Sequence, residues 1–407
     1  FFFAARMSAA RRFQAVQNTL HDPQQDVVIV SACRTPICRA GRGGLKDTDP
    51  TDLLSVVLKA VTERVSFPTD KVEDVVVGNV LLPGAGALQA RMAMFLAGYP
   101  ETTSVHTLNR QCSSGLQAIA NVAAAIAAGH IDVGVAAGLE SMSGGQIVGP
   151  ISESIRGNLK AQQCTIPMGI TSENVASRYG IGRQEQDRFA FTSFEKALAA
   201  QDAGKFDEEI VPVATTVKDK SGARTSIVLT KDDGPRHTPY EALAKLKPAF
   251  QPQGCSTAGN SSQVSDGAAA VLLMRRSTAR ALGLTVLASL KSFAVAGCSP
   301  DEMGVGPVFA IPKALAKAGV TVADIDVFEI NEAFASQCLY CSKKLGIPLE
   351  KLNPLGGAIA LGHPLGSTGC RQTVTLIHEL RRRGHGKGVV SMCIGTGMGA
   401  AAVFEVE

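Results

Sequence analysis

One order of elements occurs twice in this chain, and that repetition constrains the fold more than any other feature. Residues 72–80 form the β-branched, apolar run of a buried strand that closes on Gly78-Asn79. Cys112 comes later, just ahead of a stretch at 116–129 with helical Ala/Ile periodicity and a terminal Gly. Residues 131–138 then return to strand character. In the second copy a strand at 325–330 stops at Asn331, and His363 stands almost as far beyond Asn331 as Cys112 stands beyond Asn79. A helical stretch at 369–383 and a strand at 388–392 complete it. Further helical stretches, at 51–65 and 311–319, precede the two copies. Such a chain reads as a duplicated α/β unit with helices on both faces of its strands, each copy placing one reactive side chain before a helix.

The stretch between the copies has a different character. From 144 to 250 it is richer in charge and Gln, lacks long apolar strands, and contains 201-QDAGKFDEEIVPV and 231-KDDGPRHTP. A long insertion of this kind on a packed scaffold more often carries binding than core duty. Residues 265–274, SDGAAAVLLM, are strand-like again. The expected organisation is an N-terminal half at 26–143 rejoined by 251–281, an inserted loop domain at 144–250, and a C-terminal half at 282–407.

Composition removes other classes. The longest apolar run, residues 122–129, falls far short of the ~20 residues a membrane helix needs, so no membrane insertion is expected. Net charge is only +4, and the densest basic run, RRRGHGK at 381–387, reads as the solvated end of a helix before a Gly rather than a nucleic-acid contact. Ten cysteines without a paired framework fit a reducing compartment. Cys338 and Cys341 have C-x-x-C spacing but no second pair, and read as buried helix residues. Residues 1–25 read as a targeting segment or tag outside the fold; the stretch 1–21 carries Arg6, Arg11 and Arg12 and no acid. Within it, 12-RFQAVQNTL resembles the amino-terminal peroxisomal nonapeptide, with Thr19 where that pattern has His. A mitochondrial presequence is the rival reading.

Three turns rich in small residues each present a reactive side chain: Cys112 in NRQCSSG, His363 in GGAIALGHPLG and Cys393 in MCIGTGMG. Alone, each reads as a core residue, since a Cys among small neighbours usually behaves as a small hydrophobe. Together they read as nucleophilic catalysis. Ser113-Ser114-Gly115 lead Cys112 into a helix, so its thiol is expected near free N–H groups and the positive dipole end, an environment that lowers a thiol pKa. His363, at the matching place in the second copy, is the best of the seven histidines to take the thiol proton. Glycine turns let backbone N–H groups approach a substrate carbonyl, as an oxyanion hole requires.

Between Asp26 and Glu407 the chain resembles a thiolase. The resemblance rests on 109-NRQCSSGLQA, 167-PMGITSENVA, 245-KLKPAF, 257-TAGNSSQVSDGAAA, 329-EINEAFASQ, 356-GGAIALGHPLG and 392-MCIGTGMGAAAVFE, all in order. It is most similar to the degradative, peroxisomal-type branch. The resemblance implies a layered αβαβα core with the insertion as a CoA-binding loop domain. By matched position, Cys112 attacks the 3-keto carbonyl, His363 takes its proton, and Cys393 protonates the departing enolate and later deprotonates CoA. Asn331 is expected to hold a water that, with His363, stabilises the enolate oxygen; the backbone N–H groups of Cys112 and Gly395 form a second oxyanion hole. Arg236 is expected against the adenine, Ser262 on the pantetheine arm, and Met168 and Phe334 along the acyl channel. The resemblance implies no metal or cofactor, CoA being a substrate, and a homodimer or homotetramer. Two rival functions are an acetoacetyl-CoA thiolase working in the biosynthetic direction and an inactive acyl-CoA or lipid carrier. Retention of Cys112, His363 and Cys393 argues against the carrier, and Cys393 against a decarboxylating ketoacyl synthase.

Overall fold

The computed structural model describes residues 23–144 and 151–407, so the basic segment and its nonapeptide-like run lie outside the described residues. The first half runs through β1 (Val27–Arg34), the two-residue β2 (Cys38–Arg39), α1 (Pro50–Glu63), β3 (Asp74–Gly78), α2 (Ala87–Leu96), β4 (Ser104–Leu108), α3 (Ser114–Ala128) and β5 (Val133–Ser141). The insertion follows with helices α4 (Met168–Tyr179) and α5 (Arg183–Asp202) and a hairpin of β6 (Val213–Lys218) and β7 (Arg224–Leu229). Strand β8 (Ser265–Arg275) then returns to lie between β1 and β5. The second half comprises β9 (Ala288–Gly297), α6 (Gly306–Ala318), β10 (Val327–Ile330), α7 (Ala335–Leu345), α8 (Leu365–Arg382), β11 (Gly386–Ile394) and β12 (Met398–Val406).

Apart from the β6–β7 hairpin the strands form one sheet, in the order β10-β11-β12-β9-β1-β8-β5-β3-β4 with β2 paired to β8 off this path. Read outward from the β9–β1 contact, where Val28 meets Ser289 and Ile29 meets Ala288, the halves match strand for strand: β9 with β1, β12 with β8, β11 with β5, β10 with β3. The match stops at β4. Where β4 pairs in parallel with β3, the second half has one bridge, between Phe328 and Leu352.

Helices fill the spaces on either side. Helices α1 and α2 cover the outer face of the first half, burying Leu54 and Leu58 against Val75. Helices α3 and α8 pack between the two half-sheets, where Ile119, Val122, Val374 and Ile377 meet Val271 and Met392. Helix α6 closes the far face over Phe328 and Val403. This is the five-layered αβαβα arrangement. Helix α3 suits its middle position because Leu116, Ile119, Val122, Ala123 and Ile126 recur at helical spacing and are buried, and it stops at Gly129, whose φ of 76° closes it. Each fully buried aliphatic side chain contributes about 1.5–3 kcal/mol.

Helices α3, α6 and α8 begin at Ser114, Gly306 and Leu365, earlier than their periodicity indicates. Their first turns are built largely of Gly, Ser and Pro, which give no periodic signal. Some of those glycines are steric necessities. A Cβ on Gly369 would lie 2.4 Å from the Leu116 backbone nitrogen, and one on Gly138 2.5 Å from the Gly366 carbonyl oxygen. The starts of α3 and α8 therefore meet backbone to backbone.

Candidate active site

The glycine contact brings together the turns that precede α3 and α8. In the first, Asn109 Oδ1 accepts the Gln111 N–H at 2.9 Å, while Ser114 Oγ accepts the Arg110 N–H at 2.9 Å and donates to the Gln111 carbonyl at 2.7 Å. These bonds hold Gln111 at φ 48°, a conformation costing about 1–3 kcal/mol for a residue with a side chain. Thr396, in the loop joining β11 to β12, is held at φ 68°. Strain thus flanks Cys112 on one side and the Cys393 strand on the other.

Cys112 is half-buried in the wall of a cavity. Burial pushes its pKa up to about 11; the backbone N–H groups of Gly395 and of Cys112 itself pull it back, and the charge of Glu140 raises it. This corrects the expectation of a lowered thiol pKa. Desolvation outweighs the backbone donors, so the resting group is a thiol.

His363 is buried just ahead of α8, with both ring nitrogens engaged. Its Nδ1 lies 2.6 Å from Thr368 Oγ1, which itself donates to the Pro364 carbonyl at 3.0 Å. With the Thr368 proton committed there, the network assigns a proton to Nδ1 and the lone pair to Nε2. Asn331 Nδ2 donates to that Nε2 at 3.2 Å, and Asn331 Oδ1 is buried with no protein partner. Burial, and then the positive charge of Arg371, push His363 down to about 3. His363 is therefore a buried, neutral imidazole.

Cys393 lies near the end of β11, buried in a small cluster with Met303, Ala333 and Phe334. Burial raises its pKa well above the usual thiol value, and the charge that Cys112 would carry raises it further. Both thiols are therefore held neutral.

The cavity at Cys112 measures about 670 Å³, with Gly395, Met168, Val80, Leu81 and Leu365 in its wall. Phe334 stands beside Cys393, edge-to-face with Phe250 at 6.0 Å. Of the expected residues, Cys112, Gly395 and Met168 line this cavity; Cys393 and Phe334 pack together behind it, within reach of the Cys112 charge, and Asn331 and His363 form a hydrogen-bonded pair. Ser262 and Arg236 have other contacts. Ser262 is half-buried, its N–H donating to the Ala333 carbonyl at 3.0 Å. Arg236 lies over the Phe194 ring at 4.8 Å and donates to the Gly234 carbonyl. Sequence reasoning passed over two residues here. Thr368, which orients His363, had no signal beyond its place in the next helical turn. Glu140 did have one: it stands almost as far beyond Asn79 as Cys393 stands beyond Asn331.

Comparison with known proteins leads to one family. Residues 27–277 match the family model described as Thiolase, N-terminal domain, and residues 284–406 match Thiolase, C-terminal domain. The chain is 60% identical over 409 residues to 3-ketoacyl-CoA thiolase B, peroxisomal, of Rattus norvegicus, covering 99% of this chain and 96% of that one. It is 56% identical over 387 residues to 3-ketoacyl-CoA thiolase 2, peroxisomal, of Arabidopsis thaliana, covering 93% and 84%. The crystal structure of the dimeric peroxisomal thiolase of Saccharomyces cerevisiae superposes with a TM-score of 0.88 at 48% identity, covering 96% of this chain and 100% of that one.

Proposed function

The chain belongs to the thiolase family, and on that premise we propose that it cleaves 3-ketoacyl-CoA with free coenzyme A, yielding acetyl-CoA and a shortened acyl-CoA. Its setting is peroxisomal fatty-acid β-oxidation, the compartment named for the rat, Arabidopsis and yeast relatives alike. The observation that carries the mechanism is a neutral imidazole paired with Asn331, together with two neutral thiols near enough that the charge of Cys112 would raise Cys393.

His363 Nε2 takes the Cys112 proton as the sulfur attacks the 3-keto carbonyl, and the N–H groups of Cys112 and Gly395 receive the oxyanion. The carbon–carbon bond breaks, leaving Cys112 acylated and an acetyl-CoA enolate. Cys393 protonates that enolate, whose oxygen is stabilised by His363 and by a water held on Asn331. The Cys393 thiolate then takes the thiol proton of incoming CoA, whose sulfur attacks the acyl-enzyme. Cys112 leaves as a thiolate and recovers its proton from His363. Every proton returns to its origin, so the cycle calls for no metal or prosthetic group, and CoA is a substrate.

Met168 and Phe334 border the acyl chain, Ser262 meets the pantetheine arm, and Arg236, its guanidinium already set over Phe194, offers a flat surface to the adenine. The functional unit is a homodimer built across β4. That strand ends the sheet, and the adjacent α2 exposes Leu88, Met92, Phe95 and Leu96 at helical spacing. Turnover across 3-ketoacyl-CoA chain lengths, with mass detection of the Cys112 adduct, tests the reading. Cleavage of long and medium chains is expected; cleavage of acetoacetyl-CoA alone would favour the biosynthetic alternative instead.

A further inference from the structure

The parallel registers place an unassigned carboxylate where the second half has its second thiol. Gly78 of β3 pairs with Gly138 of β5, and Ile330 of β10 with Ser391 of β11. Asn79 is therefore equivalent to Asn331, and Glu140 to Cys393. Glu140 is fully buried. Its Oε1 accepts from Asn79 Nδ2 at 3.1 Å and from the Leu81 N–H at 3.2 Å; its Oε2 accepts from the Val80 N–H at 3.2 Å and the Gly366 N–H at 3.0 Å.

These donors come from opposite sides of the site. Val80 and Leu81 form part of the cavity wall in the first half. Gly366 lies in the first turn of α8, next to Leu365 of the opposite wall and close behind His363. The first turn of a helix presents unpaired N–H groups and the positive end of its dipole, which suits a carboxylate.

Resting on the thiolase reading above, we propose that Glu140 is a positioning residue. Its carboxylate is a crosspiece that sets the cavity wall at Val80–Leu81 against the His363-bearing turn, and it places a negative charge behind the wall of the cavity that Cys112 lines. The other titratable or charged groups around Cys112 are Cys393 on β11, His363 ahead of α8, and Arg110 on its own turn. Those facing Glu140 are Cys112 and the neutral donors just named. Burial raises the Glu140 pKa to about 7, with the Gly366, Leu81 and Val80 N–H groups and the Asn79 amide pulling it back. Protonation would set an O–H among groups that can only donate, loosening the crosspiece.

Two variants of the full chain separate length from charge. Glu140→Gln keeps the length and removes the charge, while turning its NH2 towards two of the donors. The pH midpoint for iodoacetamide alkylation of Cys112, located by mass spectrometry, is expected to fall by about one unit. Glu140→Asp keeps the charge and shortens the reach; kcat is expected to fall about 10- to 100-fold at nearly constant KM, with the midpoint unmoved. An unchanged midpoint in the Gln variant overturns the electrostatic claim, and an unchanged kcat in the Asp variant overturns the positional one. Should neither variant fold, hydrogen exchange of the wild-type enzyme decides. Peptides holding Val80–Leu81 and Gly366 should loosen together as pH falls through about 7, after correction for intrinsic rates. Protection independent of pH across that range overturns the crosspiece. Alkylation and exchange need no turnover, so a wild-type chain inactive on 3-ketoacyl-CoA would sink the functional reading without deciding this one.

Discussion

The two halves share a scaffold and differ in what they leave unpaired. In the first half, Asn79 spends its amide on the Leu139 carbonyl and on Glu140, and its oxygen accepts the Leu82 N–H. In the second, the equivalent Asn331 gives one N–H to His363 and keeps a buried oxygen with no protein partner. Structural duty there has moved to neighbours. Asn353 Oδ1 accepts the Ile330 N–H, and Glu332 accepts from Ser193, Asn353 and Ile359. Buried polar atoms are normally satisfied, so an orphan at a duplicated position marks where the scaffold has been released for chemistry. On the proposed mechanism one half contributes the nucleophile and the other the groups that move protons.

That division can be broken most forcefully at the nucleophile. Cys112→Ala should lower turnover by roughly 10⁴-fold or more and abolish the acyl adduct seen by mass spectrometry, with little change in melting temperature. A persistent adduct at full level would place the nucleophile elsewhere.

The two asparagines sharpen the comparison at intermediate magnitude. Asn331→Ala should lower kcat by about 100- to 1000-fold with little loss of stability. Asn79→Ala should instead lower stability by about 1–3 kcal/mol, because it strands the Leu82 N–H and removes a donor from Glu140. Steady-state kinetics and thermal melts on both variants check this; the same signature from both would dissolve the distinction.

The smallest effect lies in acid stability, and its sign differs between the halves. His363 is depressed from 6.5 to about 3, so the unfolded chain binds more protons between those values. Its contribution is fully present above the unfolded pKa and is lost as pH falls towards about 3. Glu140 is raised from 4.5 to about 7, so its contribution is present below the unfolded pKa and is lost as pH rises through about 7. His363→Gln should flatten the acid side of the stability curve by at most one proton, ~1.4 kcal/mol per pH unit. Denaturant unfolding at several pH values measures the slope, and a steeper acid side in the variant would contradict the assigned direction.

The duplication was legible because strands and helices carry their periods in the chain, and because Asn79–Cys112 and Asn331–His363 keep nearly the same spacing. The contraction of β4's counterpart to one bridge at Leu352 was not legible, since a single paired residue has no period. The ionisation of Cys112 was misread for a different reason. A helix start can be inferred from Ser113-Ser114-Gly115, but the packing around the thiol, to which Gly395 of the opposite half belongs, cannot. Glu140 closes a strand like any other; only alignment of one half on the other exposes it as the place where Cys393 stands.

The backbone contact between the starts of α3 and α8 has a consequence for how the enzyme is made. Cys112 is translated long before Gly366, Gly369, His363 and Cys393, and even the first half-sheet is incomplete until β8 emerges. A chain still on the ribosome therefore carries the thiol without its base or its second proton carrier. On the proposed mechanism the site is complete only when the second helix seats against the first.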